Sequence, residues 1–235
     1  DAYISVIEAI KQAGAWQGFK PEIAWLDSSD YENGDTSKKL KELEKYDGII
    51  VPGGFGSRAI EGKINVIQRC REKNIPYRGL CYGMQLMVIE YARNVVGLKT
   101  ANTAEVGNGS KDLVIDVMPE QKKNIEDGNY GATMRLGNYT AKIKKGTVAY
   151  EAYKTQEVVE RHRHRYEVNP KYKDDMIKKG LDVVGTSIDG KLVEMIEIPE
   201  HKWFLACQFH PEFTSNPRDG HPIFNSYIKS TISRK

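Results

Sequence analysis

The sequence predicts an α/β fold: a doubly wound, mostly parallel sheet flanked by helices, with a smaller antiparallel, strand-rich part. Three observations predict it. In the first half of the chain, short apolar extended runs alternate with runs of helical periodicity, the βαβ rhythm of a sheet covered on both faces. The run Gly48-Ile49-Ile50-Val51 is apolar throughout, as expected of a parallel strand buried on both faces. The pentapeptide Gly79-Leu80-Cys81-Tyr82-Gly83 stands between an extended run and an apolar helical run, at a strand-to-helix turn.

Each element follows from its local pattern. Residues 2–13 read as a helix, because Tyr3, Ile4, Val6, Ile7 and Ile10 recur at helical spacing. Pro21 to Leu26 reads as a strand, and Ser37 to Lys45 as a short amphipathic helix. Tyr46 to Val51 is a strand, and the glycines of Pro52-Gly53-Gly54-Phe55-Gly56 make the loop after it. A helix follows over Ile64 to Lys73, then a strand over 75–80. The helix over 83–97 is stopped by Gly97. Further strands are expected at Leu113 to Met118, Thr140 to Lys144, Asp182 to Ser187, Leu192 to Ile198 and Trp203 to Phe209. Helices are expected at 147–152, 170–179 and 221–230. The polar, glycine-containing stretch 119–132 reads as an exposed, mobile loop.

Composition excludes several classes of function. The 235 residues are 40% hydrophobic and 29% charged, which fits one globular domain spanning 1–235. A net charge of +3 is too small to argue for nucleic acid or a membrane surface. No apolar run is long enough to span a bilayer. Three cysteines at no framework spacing, with no signal peptide, point to a reducing, cytoplasmic setting. Asp1 opens almost directly into a helical pattern, with no initiator methionine and no first strand, so the chain reads as a fragment.

The chemistry gathers at Cys81. A cysteine at the N-terminus of a helix meets the helix dipole and free N–H groups, which favour thiolate over thiol. The flanking glycines suit a tight turn. Far downstream, Gln208-Phe209-His210-Pro211-Glu212 ends an apolar strand, where α/β active sites gather. In extended backbone His210 and Glu212 face the same way. The glutamate then accepts from one imidazole nitrogen while the other faces the thiol, the orienter–base–nucleophile logic of a triad. The backbone N–H of Tyr82 and the glycine loop 52–56 are candidate oxyanion donors. That loop is not a phosphate loop, since no G-K-[ST] follows it. Residues 161–165 spell Arg-His-Arg-His-Arg. Flanking arginines argue against a metal at His162 and His164, and no third ligand is evident. Nucleic-acid binding lacks aromatic interleaving and a broad basic field. Arginine forks recognising an anionic or zwitterionic small molecule fit better.

With these residues in view, a resemblance becomes specific. The runs P-G-G-F-G-x-R, G-x-C-x-G-M-Q, E-Y-A-R-N (Glu90 to Asn94), T-M-R-L-G, E-R-H-R-H-R-Y-E-V-N and Q-F-H-P-E-F resemble the class I, triad-type glutamine amidotransferase domains of the CTP synthase family. The match runs from about Asp1 to Phe224.

The resemblance implies that Cys81 attacks the γ-amide carbon of L-glutamine, releasing ammonia and leaving a thioester. His210 shuttles the proton and Glu212 orients it. Gly54 and Tyr82 supply the oxyanion hole. Gln85 and Glu105 hold the amino-acid end of glutamine, Glu105 by pairing with its ammonium. The main chain at Arg165 and Tyr166 grips the α-carboxylate. Phe55 and Arg58 lie on the glycine-rich lid, Arg58 matching an arginine linked to activation by GTP, a candidate allosteric activator. The domain itself needs no cofactor and no metal. ATP, Mg and UTP are expected on a synthetase domain that is not in this chain, nor is the family's first strand. That domain is the expected partner, and a homo-oligomer (tetramer) is expected only with it.

The chain departs from the family in three places. Ala59 stands where glycine is usual, so a stiffer lid is expected. Arg78 takes a usually apolar strand position. Tyr82 replaces the usual leucine and is expected to narrow the pocket. Two other readings stand beside this one: a catalytically silent regulatory or interaction domain, and a different elbow-cysteine hydrolase such as a γ-glutamyl peptidase.

Overall fold

The computed structural model describes residues 3–107, 109–117 and 134–232. In chain order its elements are α1 (Ile4–Trp16), α2 (Ser37–Glu42), β1 (Ile49–Val51), α3 (Ile60–Glu72), β2 (Tyr77–Leu80), α4 (Tyr82–Tyr91), β3 (Ala101–Thr103), β4 (Asp112–Asp116), β5 (Arg135–Ile143), α5 (Val148–Tyr153), β6 (Glu157–His164), β7 (Glu167–Val168), α6 (Pro170–Lys178), β8 (Asp182–Ser187), β9 (Val193–Glu197), β10 (Phe204–Cys207) and α7 (Pro222–Ile232).

The main sheet has seven strands in the order β1-β2-β10-β9-β8-β5-β6. Its cysteine end is parallel: β1 and β10 both run alongside β2 in the same direction. Beyond β10 every neighbour is antiparallel. The strand-rich second half therefore extends the same sheet, which makes the sheet mixed. A separate three-stranded sheet, β3-β4-β7, joins a parallel to an antiparallel pair.

Helices cover both faces, as double winding requires. On one face α3 and α4 bury Ile64, Ile67, Met84 and Val88 against Tyr77, Phe204 and Ala206. On the other, α1, α5 and α7 bury Ala9, Ala13, Ala149, Phe224 and Ile228 against Leu80, Leu205 and Cys207. The alternation along β10 divides its side chains between the two cores. No helix among the described residues is long and apolar enough to cross a membrane.

Most elements lie where the patterns put them, and the exceptions have physical causes. Pro21 to Leu26 is not a strand: among the described residues it joins neither sheet, and the open edge of β1 is left unpaired. Trp25 is exposed there. The helix after Cys81 stops being α-helical at Tyr91. A π turn over Ala92–Val96 carries it to Gly97, whose φ of 97° ends it. The loop expected at 119–132 lies outside the described residues, as does Met118 at the end of one expected strand.

Three strands went unread, β3, β6 and β7, together with the first half of β5. Along β6, Val158, Glu160, His162 and His164 point inward while Val159, Arg161 and Arg163 point out. Its buried face is mostly polar, so a search for apolar alternation misses it. The E-Y-A-R-N run is structural: buried Glu90 accepts from Arg71 Nη2 at 2.8 Å and Nε at 3.0 Å, and from Asn94 at 3.2 Å.

Candidate active site

Cys81 sits at the end of β2 as the N-cap of α4, with φ 50° and ψ −100°. This is a strained backbone for a residue with a Cβ, costing about 1–3 kcal/mol. The flanking glycines are needed for another reason than φ. A Cβ on Gly83 would lie 2.1 Å from the carbonyl oxygen of Val51. One on Gly79 would lie 2.8 Å from Ala206 Cβ and 2.9 Å from the Gly83 carbonyl carbon. The glycines let helix and strands approach, and the cysteine carries the strain. Its backbone N–H donates to Cys207 O at 2.7 Å, tying the elbow to β10.

The strand β10 ends at Cys207, so His210 and Glu212 are not in extended backbone. Pro211–Phe213 forms a 3-10 turn that begins with proline, whose fixed φ and missing N–H suit that position. The turn, not a strand, brings the two side chains together: His210 Nδ1 lies 2.7 Å from Glu212 Oε1. The ring stacks on Phe213 at 5.1 Å, and the His210 N–H donates to Arg161 O at 2.8 Å. Gly53 lies against both His210 and Cys81. A Cβ built on it would be 2.8 Å from His210 Cε1 and 3.7 Å from Cys81 Cβ. Cys81, His210 and Glu212 are all buried.

Electrostatics at the thiol run against the sequence expectation. Burial pushes the Cys81 thiol well up, and the charge of Glu212 adds to it. The hydrogen bond from the Tyr82 N–H lowers it, but by less. Burial thus opposes the thiolate that the helix N-terminus favours.

The other expected residues surround this centre. A Cβ on Gly54 would sit 3.5 Å from Tyr82 Cδ1. Gln85 is buried, with Nε2 donating to Tyr166 O at 3.1 Å and to Gln208 Oε1 at 3.2 Å. Glu105 accepts from the Gly56 N–H at 2.9 Å. Phe55 is 88% exposed, and Arg58 faces Asp27 at 3.8 Å. Ala59 adopts the left-handed conformation, φ 51°, at a cost of about 1 kcal/mol.

Sequence reasoning gave no role to Gln208, whose Nε2 lies 3.6 Å from the Cys81 sulfur. It also missed a buried polar cluster behind the site. There Arg135 meets Glu194 at 2.9 Å and Glu167 at 3.3 Å, and His162 Nδ1 lies 2.8 Å from His164 Nε2. Burial lowers the His162 imidazole to about 3 and raises the Glu167 carboxyl to about 8. The histidines of the Arg-His-Arg-His-Arg run thus serve the interior. Its outward arginines, Arg161 and Arg163, line an open depression with Leu136, Asn138 and Phe213. Among the described residues no group of three or more His, Cys, Asp or Glu side chains forms a metal site.

Comparison with known proteins places this arrangement. A family model described as glutamine amidotransferase class-I matches residues 1–230. The chain is 48% identical to a CTP synthase of Staphylococcus aureus over 99% of its own length and 42% of that protein's. It is 50% identical to a CTP synthase of Caldanaerobacter subterraneus over its whole length and 43% of that protein's. The chain thus spans less than half the length of these curated relatives. Among solved structures, the glutaminase domain of Trypanosoma brucei CTPS with bound acivicin superposes with a TM-score of 0.93, at 38% identity, covering 99% of this chain and 89% of that one. The chain belongs to the class I glutamine amidotransferase family, in the branch of the CTP synthase glutaminase domains.

Proposed function

We propose that this chain hydrolyses L-glutamine to glutamate and ammonia through a thioester on Cys81. The observation that carries the reading is the short His210–Glu212 contact beside a cysteine held on a strained elbow. His210 takes the thiol proton as the sulfur attacks the γ-amide carbon. Burial opposes the free thiolate, so the proton that His210 removes is one the site does not shed unaided. The N–H groups of Tyr82 and Gly54 receive the developing oxyanion, where each donor is worth about 3 kcal/mol of barrier. The carbon–nitrogen bond breaks, His210 returns the proton to the nitrogen, and ammonia leaves. Water, deprotonated by His210, then attacks the thioester and releases glutamate and the free thiol. Glu105 pairs with the substrate ammonium, Gln85 supports the same end, and the main chain at Arg165 and Tyr166 holds the carboxylate.

The released ammonia serves the ATP-dependent amination of UTP to CTP by a synthetase domain, in the cytoplasm and in a tetramer formed with that domain. The CTP synthase relatives support this, being more than twice the length this chain covers. GTP activation through Phe55 and Arg58 is part of the same reading, supported by the exposure of both side chains on the glycine loop.

A silent regulatory domain is the second reading, and the burial that opposes the thiolate favours it. The test is glutamate and ammonia release by the wild type and by Cys81→Ser, with stoichiometric labelling by a glutamine-analogue electrophile. Turnover that survives Cys81→Ser sinks the thioester mechanism. Absence of both turnover and labelling in the wild type supports silence.

A further inference from the structure

Tyr82 touches the site three times. Its N–H faces the Cys81 sulfur, its ring lies against Gly54, and its hydroxyl donates to Gly56 O at 2.7 Å. The same Gly56 donates its N–H to Glu105 Oε1 at 2.9 Å and holds φ at 78°. Gly56 is gripped through both its amide N–H and its carbonyl, by the side chains of Glu105 and Tyr82.

Little else on the glycine loop is packed. Gly54, Phe55, Ser57 and Arg58 are all exposed. Hydrogen bonds must then hold the loop, because apolar contacts do not. One further bond lies at its far end, where Lys63 Nζ donates to Arg58 O at 3.0 Å.

We infer that the Tyr82 phenol and the Glu105 carboxylate form a two-sided latch on Gly56, fixing the loop that carries Gly54 over Cys81 and making Tyr82 a positioning residue. The bond to Gly56 rests on the phenol oxygen alone, so a side chain without a hydroxyl at this position would lose it. Burial and the Glu105 charge both raise the phenol's pKa, which keeps it a donor at working pH. The functional half of the inference rests on the glutaminase reading, in which Glu105 also binds the substrate ammonium. Loop position and substrate binding then share one carboxylate.

The test uses Tyr82→Phe, which removes only the oxygen, and Glu105→Ala, which removes the acceptor for the Gly56 N–H and leaves Tyr82 intact. The first readout is trypsin cleavage after exposed Arg58 in the intact protein, assigned by mass spectrometry, and it needs no catalytic activity. Losing one hydrogen bond is expected to speed this cleavage about threefold or more in either variant, at unchanged global unfolding. The second readout is glutamine turnover, where Tyr82→Phe is expected to lower kcat about threefold or more with KM held. Unchanged cleavage in both variants overturns the latch. Faster cleavage with unchanged kcat overturns the positioning role. Faster cleavage in a wild-type background that never turns over glutamine keeps the latch and removes the glutaminase reading instead.

Discussion

Gly53 and His210 are in van der Waals apposition: a Cβ on the glycine would lie 2.8 Å from Cε1 of the imidazole. That distance is below any real Cβ contact, and the ring cannot retreat because it stacks on Phe213 and is bonded to Glu212. Gly53→Ala should therefore displace the base from Cys81 while leaving the fold intact. The expected outcome is a fall in glutaminase kcat of about a hundredfold, since small misplacement is costly in a positioned site. Thermal unfolding should move by only a few degrees. A variant with wild-type kcat would show that His210 is not the base.

Glu212 is bonded to His210, the contact through which it is proposed to orient the ring, and also raises the Cys81 thiol by its charge. Glu212→Gln should separate the two effects. Alkylation of Cys81 by a neutral reagent should become faster at a given pH, because a charge opposing the thiolate is gone. Glutamine turnover should fall by about a hundredfold or more, because the imidazole loses its orienter. In the wild type, alkylation should keep rising with pH beyond about 9, past the ordinary thiol range. Equal alkylation rates in variant and wild type would refute the electrostatic account.

Glu167 gives a pH signature to stability. Burial raises its carboxyl from 4.5 to about 8, the Glu194 charge adds to this, and Arg135 opposes it. Across that window the folded state keeps a proton that the unfolded chain releases, so this group's contribution falls as pH rises. His162 works oppositely: its imidazole is lowered from 6.5 to about 3, so its contribution is lost as pH falls below 6.5. Glu167→Gln leaves an acceptor for Arg135 and removes one titration. The variant's Tm relative to wild type should climb between about pH 5 and 8.5. A difference independent of pH would exclude the assignment.

Arg78 is fully buried, donates to the Cys207 sulfur at 2.9 Å, and has no partner for Nε or Nη1 among the described residues. Each buried donor without a partner costs about 1–3 kcal/mol. Arg78→Met, of similar length and apolar, should hold or raise stability by about 1 kcal/mol in urea unfolding. A loss larger than that would mean the guanidinium is compensated by contacts beyond those described.

The grouping of Cys81, His210 and Glu212 was legible in the chain because the chemistry proposed for them imposes local rules. A cysteine between glycines at a strand-to-helix turn, and a histidine two residues before a glutamate, are short-range patterns. Even so, the route from pattern to geometry differed. The His210–Glu212 pair is set by a proline-initiated 3-10 turn, and the strain at the elbow falls on Cys81. The strand β6 was hidden because it turns Glu160, His162 and His164 inward, and reading polarity as exposure fails at a buried polar face.

By itself, then, the sequence determined the α/β class, the elbow and the candidate residues Cys81, His210 and Glu212, and through its run of motifs the family. The tertiary structure alone decided what lies beside each group. It set the environment that opposes the thiolate, since desolvation and the Glu212 charge outweigh the Tyr82 N–H. It placed Gly53 against His210, and it closed Tyr82 and Glu105 on Gly56. Local spacing is written along the chain, whereas burial and the charge of a neighbour exist only once distant segments have packed.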